Sequence, residues 1–305
     1  MSIAKKNILV FSNLPKGGAQ STYHSTSDYL KKFYHIGQIS EPKYVIRNIV
    51  EYLYIAIIKS RVDQRKAIDS APYHDLLIAY HSWLVKSPHI LCYSNKPTIY
   101  ICHEPPREYY DKSHRNLQSM KEKVINLIRL PIKWVDKLNV QRNNIIIIAN
   151  SKFSKRVIDD AYHVNSIVVH PGVDTKKYES NIIVKKNQVV SIGAINKLKR
   201  HDFYIEVVAS IPKDIRPTLV LIGNGCDNNY LEFLVSKSKR LSVNLKVFLN
   251  ISEKKKIRKL HESKVFLFAP VSEPFGIVVE EAVAAGLPVI GYKYGGGYVE
   301  VLNNK

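Results

Sequence analysis

The sequence predicts an α/β protein of two doubly wound, Rossmann-like domains. Three observations carry this. Apolar runs of strand length recur along the chain, among them 145–149 (IIIIA), 188–192 (QVVSI) and 265–269 (VFLFA), and they alternate with segments of helical spacing. Runs that are apolar throughout suit parallel strands covered on both faces. Most of them end in a Gly, His or Pro turn, at the carboxyl end of the strand, where open α/β sheets bind ligands. A length of 305 residues is enough for two such domains.

Residues 6–12 read as the first strand. It runs into Gly17-Gly18 and a helix, and glycines there let backbone approach a bound group. Residues 30–72 carry two further strands or helices of the first sheet. The run 76–80 is a strand ending in His81, a cleft-lining candidate. Residues 96–102 form the next strand, with Pro97 at its entrance, and deliver His103-Glu104-Pro105-Pro106. A His at that strand end is placed for a ligand and not for the core. From 112 to 143 the pattern is helical, interrupted at Pro131. Leu117, Met120, Val124, Leu127, Ile128, Leu130, Trp134, Val135 and Leu138 form an apolar stripe, expected to pack on the sheet. After the strand 145–149, Asn150 and Ser151 read as structural, with Ser151 the N-cap of a helix to about 161. A strand at 166–170 and a linker near 181–187 complete the first half.

The second half opens with strand 188–192 and then Gly193, Lys197, Lys199 and Arg200, a basic strand end suited to a diphosphate. A helix to about 210, strand 218–222 with Gly223 at its end, helix 226–242 and strand 243–249 follow. The run Lys254, Lys255, Lys256, Arg258 and Lys259 reads as a solvated helix face. Beyond strand 265–269 stands the most informative stretch, SEPFGIVVEEAVAAGLPVI at 272–290. Gly276 opens a helix, Gly286 closes it as a C′ residue and Pro288 blocks continuation. Backbone N–H groups of Phe275, Gly276, Ile277 and Val278 at the helix start would favour an anion. The carboxylates of Glu273 and Glu281 flank them and would accept hydrogen bonds from hydroxyls. Phosphate and hydroxyls in one ligand fit both features.

Glu273-Pro-Phe-Gly, Glu281 after seven intervening residues, and Ala285-Gly286-Leu287-Pro288 together resemble the donor-site motif of retaining glycosyltransferases of the GT-B fold, family 4. The resemblance implies two domains facing across a cleft: an acceptor-side domain at 1–180 and a nucleotide-sugar domain at 181–305. It implies catalytic roles for His103, Glu273 and Lys199, with Glu273 on the donor sugar's hydroxyls and His103 beside the sugar. Donor-binding positions would be Gly17, Gly18, Gly193, Lys197, Arg200, Gly223, Phe275, Gly276, Ile277, Val278 and Glu281, the last on the ribose. The glycine segment 292–298 would close on the nucleotide. Ala194 departs from the family, which has Arg there, so Lys197 or Arg200 would supply a second cation; Arg and Lys are not equivalent at bidentate phosphate sites. The family's final portion is expected to be missing, which leaves an inactive or binding-only relative as the alternative. No Asp-x-Asp signature stands at a strand end, so no metal and no cofactor are expected besides the donor itself.

The net charge of +20 is spread over both halves, +12 in residues 1–180 and +8 in 181–305. A polyanionic partner or a plain compositional bias fits it equally. No nucleic-acid module is recognisable, so nucleic acid is not expected as a partner. Residues 107–156 hold 12 basic against 4 acidic residues, and their basic rim could touch an anionic membrane surface. The expected partners are a nucleotide-sugar donor and a glycan or lipid-linked acceptor. Three unpaired Cys and a start without a long apolar segment point to the cytoplasm.

Overall fold

A computed structural model describes residues 5–14, 17–142, 144–179 and 184–303. The chain divides into two compact units, Met1–His170 and Pro171–Lys305. The division falls ten residues before the expected 180/181. The reason is Tyr178, in a 3₁₀ turn at Thr175–Tyr178, which is buried among Val190, Phe266 and Val279 of the second unit. Part of the expected linker at 181–187 lies outside the described residues.

In the first unit β1 (Asn7–Asn13) leads to α1 (Gly18–Leu30) and β2 (His35–Ile39). Next, α2 (Ile49–Tyr54) passes through one π turn, Ile55–Lys59, into α3 (Ser60–Asp69). Then come β3 (Leu76–Ser82), β4 (Thr98–Cys102) and four helices: α4 (Arg107–Tyr110), α5 (Lys112–Asn116), α6 (Met120–Ile128) and α7 (Leu130–Val140). The unit closes with β5 (Ile145–Ala149), α8 (Lys152–Tyr162) and the short β6 (Ile167–Val168). Local chemistry explains the breaks. Ser119 and Glu122 form a capping box at α6, Pro131 sits in the first turn of α7, and the Ser151 hydroxyl accepts from the Ser154 amide to cap α8.

The sheet order is β2-β1-β3-β4-β5-β6, all parallel. One face of the sheet buries Leu9, Phe11, Leu77, Ala79, Tyr100 and Ile147 against α3, α7 and α8; the other buries Ile8, Val10, Ile78 and Tyr80 near α1. Because order reverses between β1 and β3, the switch point lies at their carboxyl ends.

The apolar stripe at 117–138 does not pack as expected. Met120, Val124, Leu127, Ile128, Leu130, Trp134 and Leu138 are exposed, Trp134 by 72%. What α7 buries instead is Ile132, Asp136, Asn139 and Val140, the opposite side of the helix.

The second unit runs β7 (Gln188–Ile192), α9 (His201–Ala209), β8 (Thr218–Gly223), α10 (Asn228–Arg240) and β9 (Leu245–Leu249). It continues with α11 (Glu253–Glu262), β10 (Val265–Phe268), α12 (Ile277–Ala284), β11 (Val289–Gly291) and α13 (Tyr298–Asn303). All strands are parallel in the order β11-β10-β7-β8-β9. The switch point therefore lies between β7 and β10, whose exit loops carry Lys199 and Glu273.

Candidate functional site

In the second unit the side chain of Asn196 caps the turn Lys197–Lys199. Lys199 then reaches over Gly193, where a Cβ would meet the lysine stem at 3.4 Å. Its ammonium stands 2.5 Å from a Glu273 carboxylate oxygen, so the two expected catalytic groups of this unit form an ion pair across the switch point. Both side chains are largely buried, which strengthens the attraction relative to a surface pair.

The backbone around Glu273 is fixed from an unexpected quarter. Its amide donates to the Gly295 carbonyl, and its own carbonyl accepts from the Gly297 amide, both at 2.8 Å. Gly296 lies between them at φ 115°, and a Cβ there would collide with the Glu273 backbone. A Cβ on Gly295 would strike the Tyr298 ring. The glycine run thus braces Glu273 by close backbone approach. Gly276, at φ 79°, opens α12; a Cβ there would press on the Phe268 ring and on Tyr298. Phe275 is buried, Ile277 and Val278 are half-buried, and no side chain caps the helix. Gly223 has a packing role: a Cβ there would meet the Gly193 carbonyl and Ile195 at 3.0 Å.

Glu281 is buried and holds an ion pair with Lys256 at 2.8 Å; Lys256 also reaches Glu253 at 2.9 Å. Tyr178 donates to Glu253 at 3.4 Å, and burial, together with Glu281 and Glu253, pushes its hydroxyl up. The expected solvated face at 254–259 is therefore corrected. Lys256 and Lys259 turn inward, to Glu281 and Glu262, because buried carboxylates need cations. Lys256, Lys259 and Leu260 share one side of α11, but that spacing does not say which lysine meets a buried carboxylate.

The two candidates for a second cation separate clearly. Lys197 is exposed. Arg200 adopts the left-handed conformation at φ 53° and lays its guanidinium on the rings of Phe203 (4.8 Å) and Tyr292 (5.2 Å). Among the described residues that guanidinium has no carboxylate partner. Stacking fixes its plane and leaves its donor edge open, the form of Arg that recognises phosphate. Tyr292 in turn is hydrogen-bonded to Tyr298, the residue packed under Gly276. Ala194 lies beside Gly225 and brings no charge.

In the first unit His81 and His103, both buried, meet edge to face at 5.2 Å at the ends of β3 and β4. His103 also stacks on Tyr80. Burial lowers the His103 pKa to about 4, against the opposing pull of Glu104. Burial, with Lys86 and His103 adding, lowers His81 as well. Both imidazoles are therefore neutral near pH 7. Burial drives Glu104 up, but Arg107 at 2.5 Å and Lys86 at 3.1 Å hold it below the usual carboxylate range. Asn150, read from sequence as structural, brings its amide nitrogen to 3.5 Å from His103 Nδ1. With Nδ1 accepting, Nε2 carries the proton. His103 Nε2, His81 Nδ1 and Asn150 Oδ1 are buried and have no partner among the described residues. Unpaired buried polar atoms of this kind call for a ligand or an ordered water.

Gly18 is the first residue of α1, and a Cβ on Gly17 would stand in open space. Residues 15 and 16 of that loop lie outside the described residues. Close to the same strand ends, Glu41 is buried and accepts from Asn13, Ser60, Gln64 and Ser82, a carboxylate that no sequence motif marked. Of the sequence-predicted residues, the second unit assembles Gly193, Lys199, Arg200, Glu273, Phe275 and Gly276 around one switch point. Glu281 lies on the far side of α12, toward α11.

Known proteins resemble this chain in sequence and in fold. Residues 172–305 match the family Glycosyl transferases group 1. GDP-Man:Man(3)GlcNAc(2)-PP-Dol alpha-1,2-mannosyltransferase of Xenopus tropicalis is 29% identical over 175 residues, 52% of this chain and 35% of that protein. Human alpha-1,3/1,6-mannosyltransferase ALG2 is 24% identical over 196 residues, 56% of this chain and 47% of that protein. The chain thus spans between a third and a half of the length of these curated relatives. Among solved structures, Anabaena Alr3699/HepE in complex with UDP and glucose superimposes with a TM-score of 0.71 at 17% identity, over 97% of this chain and 83% of that one. Both units have the Rossmann-like architecture of GT-B structures, and residues 172–305, within the second unit, match the glycosyl transferases group 1 family.

Proposed function

We propose that this chain takes part in transferring a hexose from a nucleotide-diphosphate sugar to a hydroxyl of a glycan or lipid-linked acceptor, with retention of anomeric configuration and without a metal. The observation that carries the reading is the Lys199–Glu273 pair at the switch point, beside the open donor edge of Arg200 and the start of α12.

In this reading the diphosphate displaces Glu273 from Lys199. Lys199, Arg200 and the α12 amides then neutralise the charge that grows on the leaving diphosphate. Glu273, once released, accepts hydrogen bonds from sugar hydroxyls. Glu281, held in place by the Lys256 ammonium, accepts from the ribose. His103 offers an Nε2 proton to a sugar hydroxyl and, being neutral, adds no charge. No side chain is assigned as a covalent nucleophile. The domains proposed for these roles remain acceptor side first and donor side second, with the reaction on the cytoplasmic face of a membrane.

A donor panel containing GDP-mannose and UDP-glucose tests the proposal, since relatives carry GDP-Man in their names and a solved neighbour holds UDP and glucose. Turnover abolished by Glu273→Ala and unaffected by EDTA is the expected result. Turnover lost with EDTA sinks metal independence, and an inverted product anomer by NMR sinks retention. Binding of donor without any transfer favours a binding-only relative, a reading that Ala194 supports.

A further inference from the structure

We propose that the outer face formed by α2–α3 and α6–α7 of the first unit docks on an anionic lipid bilayer, with the apolar side chains themselves entering the interface. The inference rests on the reading above only in supplying a lipid-side acceptor; the surface stands on its own residues.

Two apolar ridges make this face. Val50, Tyr54, Ile58 and Val62 recur every four residues along α2–α3 and are all exposed, Val50 by 72%. Met120, Val124, Leu127, Ile128, Trp134 and Leu138 form the second ridge, on α6 and α7. The helices are held as neighbours. Ile55 and Ala56 share a buried cluster with Ile132, and Arg129 on the α6–α7 turn donates to Tyr52 while pairing with Glu108. Both α3 and α7 bury their inner sides against the same face of the sheet, through Ile68 and Val140. Their outward ridges therefore share the outer surface of one layer.

So many large apolar side chains exposed on neighbouring helices mark a contact site. Charge decides for which occupant. Residues 112–142 hold eight Lys and Arg against two acids, Glu122 and Asp136, and Asp136 is fully buried. Lys121 and Lys123 are exposed beside the apolar ridge and take part in no ion pair among the described residues. Residues 43–69 add six basic residues against three acidic. A second copy docked face to face would bring these like charges together, which costs free energy. An anionic lipid surface attracts them, and apolar side chains with a Trp among lysines suit the headgroup–acyl boundary. Among the described residues no helix is long and apolar enough to cross a membrane, so the contact is one of lying on the surface.

Full-length protein with Trp83→Phe leaves Trp134 as its sole tryptophan reporter. Mixed with vesicles of phosphatidylcholine plus about 30% phosphatidylglycerol, Trp134 fluorescence is expected to shift to the blue and the protein to sediment; neutral vesicles should give about tenfold weaker binding. Leu127→Ser with Val124→Ser, and separately Val50→Ser with Ile58→Ser, should each weaken sedimentation at unchanged circular dichroism. Lys121→Glu with Lys123→Glu should weaken it without altering the apolar ridges. Equal binding to neutral vesicles, an unshifted Trp134, or a vesicle-free dimer by ultracentrifugation that the serine variants dissolve would each overturn the proposal. Donor hydrolysis is assayed in parallel, so a chain that binds vesicles but no nucleotide sugar refutes the transferase reading and leaves the surface standing.

Discussion

The two units handle polar chemistry in opposite ways. The second closes its site with charge: Lys199 on Glu273, Lys256 on Glu281. The first, among the described residues, leaves neutral atoms without partners at its strand ends, at His81, His103 and Asn150, and displays apolar side chains on its outer helices. The same parallel scaffold thus supports an ionic cluster in one case and a neutral, hydrogen-bonding one in the other. The difference teaches where the proposed ligands divide: the proposed diphosphate meets charge in the second unit, and the proposed lipid surface meets apolar side chains on the first.

The largest expected effect comes from breaking the ionic side at its centre. Glu273→Gln should keep the fold yet lower kcat/KM about 100- to 1,000-fold. A loss below fivefold, measured with saturating acceptor, would remove Glu273 from the chemistry. Next, Lys256→Met strands the buried Glu281 carboxylate and should destabilise the protein by about 3 kcal/mol in urea unfolding. Adding Glu281→Gln to it should restore most of that loss. If the double variant is no better than the single one, the pair is not what holds α11 to α12. Third, Gly296→Ala must distort the brace on Glu273, costing about 1–3 kcal/mol and weakening donor binding along with stability. An unchanged urea midpoint would show the brace to be slack.

The smallest expected effect concerns pH and touches both units. Burial sets His103 and His201 each at about 4, with Lys199 adding to the lowering at His201. Both lie below the unfolded value near 6.5. The unfolded state therefore takes up protons first, and stability falls as pH drops from about 6.5 toward about 4. Asp136, raised by burial to about 6, acts in the opposite sense, because its folded form takes up a proton over the same range. His81, lowered by burial as well, adds to His103 and His201, so three histidines against one aspartate leave a net loss on acidification. His103→Gln should flatten that slope, read as the urea midpoint at pH 7 against pH 5. An equally steep slope in the variant would mean that His103 titrates in the ordinary range.

Much of the architecture was legible in the residues. The strand Ile145–Ala149 and the cap at Ser151 were readable because apolar runs and short polar caps are local signals. Gly276 and Gly286 announced the ends of α12 because both need positive φ. Pairing was not legible. Lys256 looked like one charge among five, since nothing within α11 tells which lysine will face a buried carboxylate 25 residues on. The stripe at 117–138 gave its periodicity correctly and its environment wrongly. A periodic pattern says which side chains share a side of a helix. Whether protein, lipid or water meets that side depends on the rest of the fold. Asn150 was missed for a similar reason: its neighbour His103 comes from another strand.

The brace on Glu273 bears on where this polypeptide can be cut. Every residue of the EPFG motif has been written by position 276, and the helix after it by 284, yet the partners of the Glu273 backbone are at 295 and 297. A fragment ending at β11 would spell the motif in full and still hold its glutamate on an untethered loop. During synthesis the same holds in time: the carboxylate can settle only after 24 more residues, from 274 to 297, have left the ribosome. The smallest transferable unit of this loop is therefore the stretch through the glycine run, and a boundary drawn by motif alone would separate the glutamate from what holds it.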